Sequence, residues 1–141
     1  MANIGFPVSL RGYFLEDFNF TFLLNSAIVA ADVGKAVSLD GTTANTVKLA
    51  ADNDRIIGRL ETFEDREQEG IKVGAVSLKF LQRLPVKTGL TGAEAVVVGS
   101  TVVGAGSGEV KARVVSTVAT PDLNDNFVAE IDGTYAIVVK V

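Results

Sequence analysis

The chain has no histidine, no cysteine and no tryptophan, a single methionine and only three prolines in 141 residues. Each absence narrows the chemistry. Without cysteine there is no disulfide and no thiolate nucleophile. Without histidine the commonest metal ligand and the commonest general base near neutral pH are both missing. A Ser-His or Cys-His pair cannot be assembled, and the remaining option is two-carboxylate chemistry at pairs such as Asp52 and Asp54 or Asp122 and Asp125. Both pairs sit in turn-like segments rich in Asn, where carboxylates stay solvated and keep ordinary acidity. The sequence therefore reads as a protein that is not an enzyme and holds no cofactor or metal. Basic clusters are lacking too. A net charge of −4 argues against nucleic acid, whose binding rests on Lys and Arg at phosphates. No apolar run approaches the roughly 20 residues of a spanning helix, and Met1-Ala2-Asn3 leads into the body without a signal-like segment, so no membrane partner is expected.

What is present is β-branched and glycine-rich. Twenty-one valines, eleven threonines and seven isoleucines favour pleated strands over helices, and fourteen glycines supply turns and bulges. The length suits one domain with one core. The expected fold is all-β, a small single-domain β-barrel or β-sandwich with an extended N-terminal arm, divided into residues 1–26 and 27–141.

Residues 1–26 hold six of the ten aromatics: Phe6, Tyr13, Phe14, Phe18, Phe20 and Phe22. From Phe18 to Leu24 apolar side chains recur every second residue, the period of an extended segment. Two roles fit these rings. They fill the domain's own core from a first strand, or they form an arm that docks on a neighbouring subunit or partner, and on the second reading all six are partner-contact residues.

From Ala27 onward the pattern is short strands and turns. Ile28-Val29-Ala30 and Lys35–Leu39 read as strands, the latter stopped by Asp40-Gly41, and Thr46–Leu49 as another. Arg55–Phe63 reads as a strand containing Gly58, a bulge or close backbone approach. The acidic stretch Glu61–Gly70 reads as a solvated hairpin loop, since its spacing matches no calcium-binding pattern. Ile71–Leu84 is the longest strand candidate. Neither of its faces is cleanly polar, which predicts bending or burial on both sides, and Pro85 ends it. Gly99–Gly108 reads as a hairpin tip and not a phosphate loop, because a strand and not a helix follows, over Glu109–Ala119. Tyr135–Val141 closes the chain as a strand. Gly34–Gly41 is echoed by Gly92–Gly99 and Thr46–Ala50 by Glu109–Arg113, a loose internal repeat.

The order of these elements is Ala31-Asp32-Val33-Gly34-Lys35-Ala36-Val37, a Val-Lys-Leu-Ala strand, then Ile56-Ile57-Gly58-Arg59-Leu60-Glu61. After the acidic loop come Gly70-Ile71-Lys72-Val73-Gly74-Ala75-Val76 and Gly92-Ala93-Glu94-Ala95-Val96-Val97-Val98. Over residues 27–115 this resembles the small Gly/Ala/Val-rich decoration, or cement, proteins of tailed-bacteriophage heads. The resemblance implies a virion protein made in the host cytoplasm. It would bind the outer capsid surface, bridge major capsid protein subunits, associate with itself as a homotrimer, and use a terminal arm to complete a capsid β-sheet. The alternatives are another virion structural β domain (tail tube or head fibre) and a small-ligand or carbohydrate-binding β module. The last is disfavoured by the scarcity of aromatics beyond residue 22, where only Phe63, Phe80, Phe127 and Tyr135 occur.

Overall fold

The computed structural model describes residues 18–114 and 126–140. Strands account for 53% of it, and among the described residues no helix reaches seven residues. The described residues form ten strands in chain order: β1 (Phe18–Leu24), β2 (Ala36–Leu39), β3 (Thr46–Leu49), β4 (Gly58–Leu60), β5 (Glu64–Arg66), β6 (Ile71–Pro85), β7 (Val102–Gly106), β8 (Glu109–Ala112), β9 (Asn126–Asp132) and β10 (Tyr135–Lys140).

Five of them close a barrel in the order β1-β3-β2-β4-β6 and back to β1. The seam between β1 and β3 is parallel and short, with only Leu23 opposite Thr46 and Leu24 opposite Val47, whereas β1 runs antiparallel to β6 from Phe18 to Leu23. Leu24, Ile28, Val37, Val47, Leu60 and Val76 fill the interior, with Phe22, Leu49, Ile57, Phe63 and Leu78 packed at its margins.

A second core lies outside the barrel wall. Ala36 and Ala50 meet Phe80 and Leu84 of β6, Val102 and Val110 of the β7–β8 hairpin, Val128 of β9, and Ala136 and Val138 of β10. Strand β2 is accordingly buried on both faces, Val37 inward and Ala36 outward. Strand β6 serves both cores. Its first half pairs with β1, β4 and β5, and its second half, Phe80 to Pro85, pairs with β10. The absence of a polar face on Ile71–Leu84 has this cause, and Pro85 is the last residue of the strand, as the sequence predicts.

Glycines set how closely the layers approach. A Cβ at Gly58 would collide with the backbone oxygen of Ser77, and one at Gly74 with that of Thr62. Gly104 exchanges backbone hydrogen bonds with the Asn53–Asp54 turn (Asn53 N–H to Gly104 O and Gly104 N–H to Asp54 O, 2.9 Å each), which docks the hairpin on the barrel.

Several expectations are corrected. Ile28-Val29-Ala30 is not a strand: a 3₁₀ turn at Ala30–Asp32 forms because Asp32 reaches back to accept the Val29 amide at 2.9 Å. Arg55–Phe63 contributes only Gly58–Leu60 to the sheet. The echo of Gly34–Gly41 in Gly92–Gly99 is not structural, since Gly92–Glu94 is a 3₁₀ turn and Val97 and Val98 are exposed loop. Of the expected strand Glu109–Ala119, β8 covers Glu109–Ala112, Arg113 and Val114 are not strand, and residues 115–119 lie outside the described residues. The acidic loop does form a solvated hairpin, with the short exposed β5, a turn over Glu67–Glu69 and Gly70 in the left-handed conformation (φ 70°).

Candidate interaction surface

Of the six aromatics assigned to partner contact, Phe6, Tyr13 and Phe14 lie outside the described residues. Phe18, Phe20 and Phe22 stand on one face of β1 by strand alternation. They nevertheless differ. Phe22 is half-buried and packs against the barrel core. Phe18 and Phe20 extend beyond the point where β3 begins and are 49% and 48% exposed, with ring centroids 4.9 Å apart and edge to face. Full burial of a Phe stabilises by about 1.5–3 kcal/mol, so each half-exposed ring leaves roughly 1 kcal/mol for a partner.

Register extends this patch across the sheet, because directly opposed residues share a face. Phe18 lies opposite Lys79. Two residues on, Leu81 lies opposite Val139, and Val139 opposite Phe127, which is 46% exposed. Phe18, Phe20, Leu81, Val139 and Phe127 thus form an apolar stripe over four strands, with Lys79 within it. The core-filling residues of this region, Phe80, Leu84, Ala136 and Val138, point to the opposite face. Sequence reasoning singled out neither Leu81 nor Val139. Their alternation is readable, but which side of β6 and β10 is covered depends on the second core.

The edge of β1 has its own geometry. The Leu23 amide donates to Asn45 O at 3.0 Å, so Leu23 directs its backbone away from β6 and toward β3. By alternation Asn19 and Thr21 face the same way, but β3 does not extend to them. Among the described residues nothing pairs with this stretch.

Several charged groups are held by specific partners. Lys72 donates to Ser26 O and Ile28 O at 2.8 Å each and lies 5.8 Å from the Phe63 ring centre. It borders an open groove of about 540 Å³ lined also by Asn25, Asp40 and Asp65. Lys111 is nearly buried and meets Asp52 at 2.8 Å and Glu94 at 2.7 Å, tying two loops to β8. The hydrogen bonds that Lys111 donates to these two carboxylates raise its pKa, and the Lys111 ammonium in turn lowers that of Asp52. Asp54 is directed instead to Lys48, at 3.3 Å, and to the Ala51 amide. The carboxylates of Asp52 and Asp54 therefore serve separate lysines, while Asp122 and Asp125 lie outside the described residues. Among the described residues no three Asp or Glu side chains converge as metal ligands would.

In comparison with known proteins, no family model matches the chain, and no curated protein and no solved structure is significantly similar to it.

Proposed function

We propose that this protein is a structural binding module that decorates the outer surface of a tailed-phage head, seating an apolar sheet face on the major capsid protein and bridging neighbouring subunits. The observation that supports this reading is the stripe Phe18–Phe20–Leu81–Val139–Phe127 on one face of the sheet, exposed at Phe18, Phe20 and Phe127 and half-buried at Leu81 and Val139. Contiguous apolar patches rich in aromatics mark protein-binding surfaces. A cement acts by many modest contacts repeated over a symmetric shell, which requires a rigid body and a sticky face but no titrating group.

The test is to mix the purified protein with expanded, undecorated heads and follow co-sedimentation and the temperature at which heads rupture. The wild-type chain is expected to pellet with the heads and raise that temperature, and Phe127→Ser, a change at an exposed position, to lose both effects while keeping its fold. Heads that neither bind the wild-type chain nor gain heat resistance would sink the proposal.

A further inference from the structure

We infer that the open edge of β1 is a self-association site, where two copies of this chain pair their β1 strands antiparallel about a twofold axis, Asn19 of one opposite Thr21 of the partner subunit. The backbone N–H and C=O groups of Asn19 and Thr21 point to the side on which Leu23 is satisfied by Asn45, and among the described residues no strand meets them. Unpaired edges of this kind are templates for another strand, and proteins ordinarily blunt them with charge, proline or cover.

Among the described residues the edges at β5 and β9 are blunted. Strand β5 is Glu-Asp-Arg, all three exposed. Strand β9 is covered where Val128 exchanges hydrogen bonds with Gly99 and Ser100, and its far end carries Glu130 and Asp132. By contrast β1 reads Phe-Asn-Phe-Thr-Phe-Leu-Leu, with no charge, no proline and no glycine, in residue types that favour strands. An uncharged edge suits its own copy: an isologous pair sets the residue on the axis against its symmetry mate, so a charge there would meet a like charge.

The register follows from the same bonds. The Leu23 amide is already engaged, so the pairing centred on Phe20 is the one in which Asn19 and Thr21 of each copy find free groups on the other. The two Phe20 rings then face each other in a non-hydrogen-bonded pair, the arrangement with the closer side chains. The axis stands perpendicular to the sheet, so both copies present their apolar stripes on the same side. A five-residue edge is small beside the roughly 800 Å² per partner of a standard stable interface, so the dimer is concentration-dependent.

The chain has no cysteine, so one introduced thiol reports cleanly. Opposed residues of a non-hydrogen-bonded pair lie within disulfide reach. On mild oxidation, full-length Phe20→Cys is expected to form covalent dimers well ahead of Val97→Cys, an equally accessible control on a distant loop. Sedimentation velocity over a wide concentration range is expected to show monomer and dimer for the wild type. Thr21→Pro, which removes an outward N–H but leaves the bonds of Phe20 and Phe22 to β6, and Phe20→Lys, which sets two ammonium groups together, are expected to abolish the dimer with the circular dichroism spectrum unchanged. A wild-type chain that stays monomeric at all concentrations, a trimer indifferent to Thr21→Pro, or equal cross-linking of the two cysteine variants would overturn the inference.

Discussion

The buried side chain of Asn126 closes a two-bond ring on the backbone of Val102, its Oδ1 accepting the Val102 amide at 2.8 Å and its Nδ2 donating to the Val102 carbonyl at 3.3 Å. An amide side chain here substitutes for the ladder partner that β7 lacks on that edge. Asn126→Ala would leave two backbone groups unsatisfied, and about 2–4 kcal/mol of unfolding free energy should be lost in urea titrations. Asn126→Asp keeps the shape but cannot donate while ionised. It should be nearly as damaging at pH 7 and partly recover at low pH, where its carboxyl carries a proton.

Glycine substitutions should divide by what the new methyl meets. At Gly58 it meets the backbone of Ser77 in the neighbouring strand and at Gly74 the backbone of Thr62 just after β4, so Gly58→Ala and Gly74→Ala should cost several kcal/mol, on the order of 3 or more, or fail to fold. At Gly41 the space is open and the backbone is not left-handed, so Gly41→Ala should be neutral or stabilise by about 0.4–1 kcal/mol. Equal denaturation midpoints for Gly41→Ala and Gly58→Ala would contradict the close packing of β4 on β6.

The Lys111 clasp should be asymmetric. Asp52 and Glu94 are 62% and 45% exposed, so Lys111→Met leaves two hydrated carboxylates, whereas the double variant Asp52→Asn, Glu94→Gln strands a nearly buried ammonium. The double variant should show the larger fall in melting temperature. Because the native pKa of Lys111 is raised, the share of stability it carries is complete below the ordinary lysine value and is lost as pH rises through the raised one.

Acid sensitivity follows from three aspartates whose native pKa values are lowered. For Asp32 burial opposes the shift but is outweighed by the Val29 amide and Lys35. For Asp40 the Thr42 hydroxyl and amide dominate, and for Asp52 the hydrogen bond to Lys111. A lowered carboxyl contributes stability that is present above its unfolded pKa of about 3.9 and lost as pH falls through the native value. No side chain here has an ordinary pKa between about 5 and 9. Urea midpoints and head binding should both be flat from about pH 6 to 8, with the midpoint falling below about pH 4; a steep change inside the flat range would contradict this.

Much of this fold was legible where local chemistry decides it. The period of two and the closing proline located β6, the glycines located the β7–β8 hairpin, and the acidic run located the loop around β5. Long-range packing decided the remainder. Phe18, Phe20 and Phe22 follow one alternation, and what separates two surface rings from a core ring is that β3 begins at Thr46 opposite Leu23. Strand β9 begins with a buried asparagine, a residue type that signals a turn, and it is a strand because its backbone pairs with β10 while that side chain bonds the backbone of Val102. The stripe residues Leu81 and Val139 became visible only once the second core had claimed the other face of their strands.

Strand β6, like β2, is common to both cores, with β1 and β4 on its first half and β10 on its second. Opening the barrel strips β6 from the outer core, and peeling β10 away uncovers Phe80 and Leu84 beside the barrel wall. The amides of β6 should therefore exchange with deuterium only through global unfolding, as one cooperative unit. A partner gripping either end would slow exchange at both.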